Sequence, residues 1–231
     1  MTQTMLMLIV AAIAFVGSHF LLSGTPLRGV LSRSLTEAGY LGFFSGLALA
    51  TMIWFVWAYA DAPYEGLWVA GPWLKMLTWV IMIPAVLFAI LGFATPNPTA
   101  VQAERLFSEP DTVTGILRVT RHPVFWGIGL WAIAHFISNG DVASLIFFGA
   151  LALLAYAGAA SQEARKRQQL GRTWDGFEQT TSFIPFAAII AGRNKFVWRE
   201  IGLWRVLLAV IAYVALIKFH ELVIGVDPIP H

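Results

Sequence analysis

The chain has 231 residues, of which 58% are hydrophobic and 12% charged, with a net charge of +2. Soluble domains carry about 25% charged residues, so the composition excludes an ordinary water-soluble domain, and the near-neutral balance excludes a basic nucleic-acid-binding surface. Cysteine is absent, which excludes disulfides, thiolate metal ligands and cysteine nucleophiles.

A helix needs about 20 apolar residues to cross a bilayer. The segment from Met1 to Leu22 lacks a basic n-region and a small-residue cleavage site, so it reads as a retained span over 4–23 and not as a cleaved signal. A second span is expected over 38–60 and a third over 73–95, with Pro84 marking a kink. Residues 96–117 form a polar connection rich in turn residues. The fourth span, 119–138, begins near Arg121-His122-Pro123, and Ser138-Asn139-Gly140-Asp141 turns it tightly into the fifth, 142–162. Residues 163–199 begin as a helical extension with Arg165, Lys166 and Arg167; the apolar piece 183–191 is too short to span and is expected in the interface. The sixth span is 200–224. Each must be helical, because lone strands leave backbone groups unsatisfied in lipid. The expected fold is all-α: one domain over 1–231, a polytopic bundle of about six transmembrane helices.

Of the 15 Lys and Arg residues, 12 fall in the connections after spans one, three and five. The opposite connections hold Asp61, Glu65 and Asp141, with Lys75 as the nearby base. The positive-inside rule makes the basic face cytoplasmic and puts both termini on the other side. Trp54, Trp57, Tyr59, Trp68 and Trp73 crowd the outer ends of spans two and three, as an interfacial belt does. The basic run 165–167 serves as a topology anchor or a contact for anionic membrane lipids.

Polar groups inside spans are candidate functional groups. His19 lies in the inner third of span one, His122 at the inner start of span four, and His135 near its outer end. His220 lies near the outer end of span six. Imidazole is a common metal ligand and a frequent axial ligand of haem iron. Trp131 stands one turn before His135, and Gly127 and Gly129 offer places where a flat cofactor could approach the backbone. The alternative is that each histidine bonds to a neighbouring helix; for His220 and the terminal His231 that structural role is the expectation. Thirteen residues separate His122 from His135, about 20 Å of helix, and they point to opposite faces. Depth alone pairs His19 with His122, and His135 with His220. No GxSxG, HExxH, phosphate loop or GxGxxG occurs.

The run Arg121-His122-Pro123-Val124-Phe125-Trp126-Gly127, followed by Trp131-Ala132-Ile133-Ala134-His135, resembles the NnrU family, which includes the plant and cyanobacterial 15-cis-zeta-carotene isomerases. Thr181-Ser182-Phe183-Ile184-Pro185-Phe186-Ala187-Ala188-Ile189 and Ser18-His19 extend the resemblance over most of the chain. It implies a polytopic haem b protein whose axial ligands are His19 and His135, the catalytic pair; depth keeps His122 as the second candidate, and Arg121 and Trp131 stand beside these histidines as further candidate cofactor contacts. In the isomerase branch a switch of ligation with iron redox state accompanies isomerisation of an extended apolar substrate. That branch carries a Cys three residues before the second histidine; here the position is Ala132. The NnrU branch is associated with nitrogen-oxide metabolism in denitrifying bacteria, which implies a bacterial inner (cytoplasmic) membrane.

Two other readings stay open. Isoprenylcysteine-type methyltransferases carry an Arg-His-Pro element near the cytoplasmic face, and Glu163 and Arg165 are the nearest candidates here for their downstream cofactor contacts. A non-enzymatic assembly factor would use its histidines structurally.

Overall fold

The computed structural model describes residues 2–109 and 112–229; His231 lies outside them. The described residues are helical, without a β-strand. Five helices are long and apolar enough to cross a membrane: α1 (Gln3–Gly24), α2 (Leu27–Ala60), α3 (Pro72–Ala94), α5 (Val142–Leu170) and α9 (Leu203–Ile224). Between α3 and α5 lies α4 (Pro123–Asn139), whose 17 residues rise about 25 Å, short of the roughly 30 Å of a bilayer core. The short helices α6 (Arg172–Thr180), α7 (Ala187–Ile190) and α8 (Trp198–Ile201) complete the chain, with 3-10 turns at Glu104–Ser108 and Gly115–Arg118.

Local chemistry sets the helix ends. Thr2 caps α1 by accepting a hydrogen bond from the Met5 amide. Proline opens α3 and α4, where an absent N–H costs nothing. The start of α4 at Pro123 corrects the expected span 119–138. Residues 119–122 are pinned outside the helix: the Arg121 amide donates to Ser182 O, and Thr120 Oγ1 donates to Phe183 O at 2.7 Å. At the far end Gly140 has φ +67°, and a Cβ there would lie 2.3 Å from Trp68 O; only glycine serves this turn. Asp141 then caps α5, accepting from the Ser144 amide at 3.0 Å. In α2 the helix begins earlier than the expected 38–60 and changes direction at Thr36, where φ is 65°.

The long helices pack in the order α2, α1, α5, α4, α3, α9. The main core lies among α1, α2, α4 and α5, around Leu8, Phe15, Phe55, Ala132, Phe147 and Phe148. The α3–α4 seam is closer than side chains permit. A Cβ on Gly127 would meet Ala89 N at 2.7 Å and Ala85 O at 2.9 Å, so the two backbones touch, as small residues allow in membrane bundles. On the outermost helix, α9, the only buried residue is Ala209. Its exposed Leu207, Ile211, Leu216 and Leu222 suit lipid and would be an aggregation surface in water.

The connections gather at two ends. At one, the Leu67 and Trp68 amides donate to Gly140 O at 2.7 and 3.0 Å, and Trp68 Nε1 donates to Ile137 O at 3.0 Å. At the other, the basic connections interlock: the Phe186 amide donates to Val119 O at 2.8 Å, and Arg118 forms a fork on Glu200 at 2.6 and 2.9 Å. That fork, with the Gly115 amide, holds the Glu200 carboxyl below its ordinary range.

Candidate functional site

The histidines singled out in the sequence occupy three different environments. His122, which precedes the first residue of α4, is fully buried at the basic end. Its Nε2 lies 2.9 Å from Glu163 Oε1 of α5, and Arg121 Nε donates to the same oxygen. Arg121 also donates from Nη1 to Thr181 Oγ1 at 3.2 Å and faces the Trp174 ring at 6.0 Å. Trp174 Nε1 donates to Glu178 Oε2 at 3.1 Å, and Arg167 donates to Glu178 Oε1 at 2.6 Å. Burial holds the His122 imidazole below its ordinary range; the hydrogen bond to Glu163 pulls the other way without overcoming it. A neutral ring donating from Nε2 carries a bare acceptor at Nδ1, and that atom is buried with no partner. The remaining polar groups of this cluster serve one another, so the Arg-His-Pro element here locks α4, α5 and α6 together. Arg165 ties α5 to α1 by donating to Ser23 O.

His135 sits at the opposite end of α4. Its Nδ1 donates to Trp131 O at 2.8 Å, which leaves Nε2 as the free lone pair. The ring packs on Trp131 at 4.9 Å and Phe148 at 5.2 Å, and faces His220 of α9 at 6.3 Å with ring planes 25° apart. His220 Nδ1 makes the matching bond to Val226 O, at 2.7 Å. Both rings line a cavity of about 190 Å³, together with Thr78, Trp79 and Met82 of α3 and Tyr213 and Leu216 of α9. His220 was expected to be structural; the structure brings it to the one histidine that depth alone had paired with it.

His19 is elsewhere. Its Nδ1 donates to Phe15 O at 2.7 Å, and its ring lies between Phe15, at 4.6 Å, and Phe44 of α2, at 5.3 Å. A Cβ on Gly24 would be 3.0 Å from Ser161 Oγ, while His122 meets Glu163, so Gly24 and His122 share a level of the bundle. Counting outward from that level, His19 is five residues along α1 and His135 thirteen along α4, a depth difference of roughly 10 Å. They also face different partners, α2 for His19 and α9 for His135. The structure therefore brings His135 to His220, and brings His19 to neither His135 nor His122.

The glycines near His135 have a different use from the one expected. Gly127 takes the backbone of α3, and a Cβ on Gly129 would strike the Tyr156 ring at 2.3 Å; each is filled by protein, and neither faces the cavity. A wider polar cleft of about 630 Å³ at the basic end is lined by Arg118, Arg172, Arg193 and Asn194. Neither this cleft nor the histidine cavity is lined by Arg121, His122 or Glu163.

Comparison with known proteins gives one family and two curated relatives. The family model described as NnrU protein matches residues 7–228. The chloroplastic 15-cis-zeta-carotene isomerase of Arabidopsis thaliana is 28% identical over 184 residues, covering 73% of this chain and 46% of the relative. The chloroplastic 15-cis-zeta-carotene isomerase of Zea mays is 28% identical over 177 residues, covering 73% of this chain and 47% of the relative. The chain thus spans about half the length of these relatives. No solved structure matches.

Proposed function

The chain belongs to the NnrU protein family, and on that premise we propose that it is a haem b-dependent, isomerase-like membrane protein acting on an extended apolar substrate. The observation that carries this reading is the His135 cavity. It combines an imidazole whose Nε2 is free with walls of Trp79, Met82, Trp131 and Leu216. Walls of this kind suit an apolar ligand, and imidazole is a donor that haem sites use. When bound, haem supplies an iron centre able to exchange an electron with a conjugated substrate, so that bond rotation needs no net oxidation. The protein's part is to hold His135 in one tautomer through Trp131 O and to present an apolar wall.

The mutual bonding of Arg121, His122 and Glu163, and their absence from both cavity linings, support a structural role for that element over a methyl-donor site. The proposed topology keeps six membrane-crossing helices, α4 included, with the basic connections cytoplasmic in a bacterial inner membrane. Because the chain has no cysteine, single cysteines introduced at the exposed Val69, between α2 and α3, and Val101, after α3, give a background-free test. An impermeant maleimide added to intact cells should label the first and not the second; the reverse pattern inverts the topology.

Activity is tested by expressing the chain in dark-grown bacteria that accumulate 15-cis-zeta-carotene, with a plant isomerase as positive control. Loss of the 15-cis isomer on chromatography is the expected outcome. Unchanged pigment beside a working control overturns the isomerase reading and leaves the nitrogen-oxide accessory role to be tested.

A further inference from the structure

We propose that the polar cleft at the basic end binds a phosphate group, that of an anionic membrane phospholipid whose acyl chains lie along the start of α9. The site is separate from the histidine cavity and does not depend on what that cavity holds.

The cleft, of about 630 Å³, falls in the size range of small-molecule sites. Arg118, Arg172 and Arg193 line it with Asn194 and three threonines, and among the described residues no carboxylate does. The three guanidinium groups are not equally committed. Arg118 is forked on Glu200 and donates from Nη1 to Asn194 Oδ1 at 2.9 Å. Arg193 donates from Nη1 to the backbone carbonyls of Glu178, Gln179 and Thr181 at 3.3, 2.6 and 3.1 Å. Those carbonyls fix its position without cancelling its charge, and among the described residues it makes no ion pair. Arg172, exposed at the start of α6, makes neither hydrogen bond nor ion pair among the described residues. Two cations without a carboxylate thus share one cleft, and the guanidinium fork matches the oxygens of a phosphate. The run 165–167, the other cationic candidate for lipid contact, is spent inside the protein. Arg165 donates to Ser23 O, Lys166 to Glu104 at 2.9 Å, and Arg167 to Glu178 at 2.6 Å.

The cleft also has room beside these charges. Thr173, Gly176 and Thr180 of α6 line it, and a Cβ on Gly176 would meet nothing within 4 Å.

Its level in the bundle favours a lipid. Glu200, which holds Arg118, belongs to α8, and α9 starts at Leu203. The cleft therefore lies where a membrane helix begins, at the height of the headgroups. Arg193 and Asn194 stand in the chain between the exposed Ile190 and the exposed Phe196 and Trp198, and aromatic residues at such a level belong to the membrane interface. A phosphate carrying acyl chains meets both the arginines and this apolar rim, whereas a free phosphate compound meets the arginines alone. Basic pockets at the ends of membrane helices are known to take lipid headgroups.

The test is native mass spectrometry of the full chain in mild detergent, titrated with phosphatidylglycerol and, separately, with phosphatidylcholine. The wild type should retain the first in preference to the second. Arg172→Gln should weaken phosphatidylglycerol about five-fold, the worth of one cation beside an anionic lipid, and Arg172→Lys should restore most of the loss. Gly176→Phe fills the cleft and leaves every charge in place; it should weaken the lipid at least as much. Arg33→Gln takes the same charge from another exposed position of the basic face and should change nothing. Arg172 and Gly176 are both exposed, so their variants should unfold at the wild-type temperature. Retention that survives either Arg172→Gln or Gly176→Phe, or that falls equally with Arg33→Gln, overturns the proposal, because the basic face then attracts lipid by its overall charge. Glycerol 3-phosphate that binds as tightly as the lipid overturns the lipid as the source and makes the cleft a site for soluble phosphates.

Discussion

The two ends of α4 hold the same residue type under opposite conditions. At the basic end His122 is fully buried and bonded to a carboxylate that also serves Arg121. At the other end His135 keeps its Nε2 uncommitted beside a cavity and a second imidazole. A buried charge cluster is tolerable only when its charged members satisfy one another, so at the basic end Arg121 and Glu163 are spent on holding shape. At the far end a backbone carbonyl, Trp131 O or Val226 O, orients each imidazole without using up the atom that can bind. The difference separates holding the fold from binding, and it does so within one helix of 17 residues.

Breaking the basic end should have the largest effect. Glu163→Ala leaves the Arg121 charge buried without its main partner, and should cost about 3–5 kcal/mol of unfolding free energy in a detergent titration. Gly127→Ala tests the segment between the two ends. It forces the α3 and α4 backbones apart and should cost about 1–3 kcal/mol, and because His135 rides on α4 it should also disturb any spectrum arising there. Tyr40→Phe removes one buried hydrogen bond to Leu22 O, 2.9 Å long, between α2 and α1 and apart from both histidine clusters; about 1 kcal/mol is expected with no spectral change. The smallest stability effect belongs to His220→Gln, within about 0.5 kcal/mol by the same titration. If that substitution destabilised the fold as much as Glu163→Ala does, the contrast between the two ends would fail.

Much of the fold is legible in the sequence because apolar length and charge asymmetry are properties of composition. The hairpin at Ser138 to Asp141 is readable for a similar reason: glycine before an aspartate cap is local chemistry. The start of α4 was placed four residues early because Val119 and Thr120 continue the apolar run, while what ends it is bonding to Ser182 and Phe183, more than sixty residues away. The same distance hides the site. Arg121, His122 and Glu163 can be picked out singly, but that they bond to one another depends on the register of α4 against α5. His220 looked peripheral by its position near a helix end, and the signal that could have raised it was its match in depth to His135. His19 carries the family motif, and nothing in its local sequence tells that its ring turns toward Phe44.

The backbone contact at Gly127 has a mechanical consequence. With Ala85 O and Ala89 N against it, α4 cannot slide or roll on α3 without collision, so the two behave as one rigid plate. Trp131 and His135 are fixtures on that plate. His220 is mounted on a helix attached along a single seam. Any change in the gap between the two rings is therefore a swing of α9 about that seam, with His135 as the fixed jaw and His220 as the moving one.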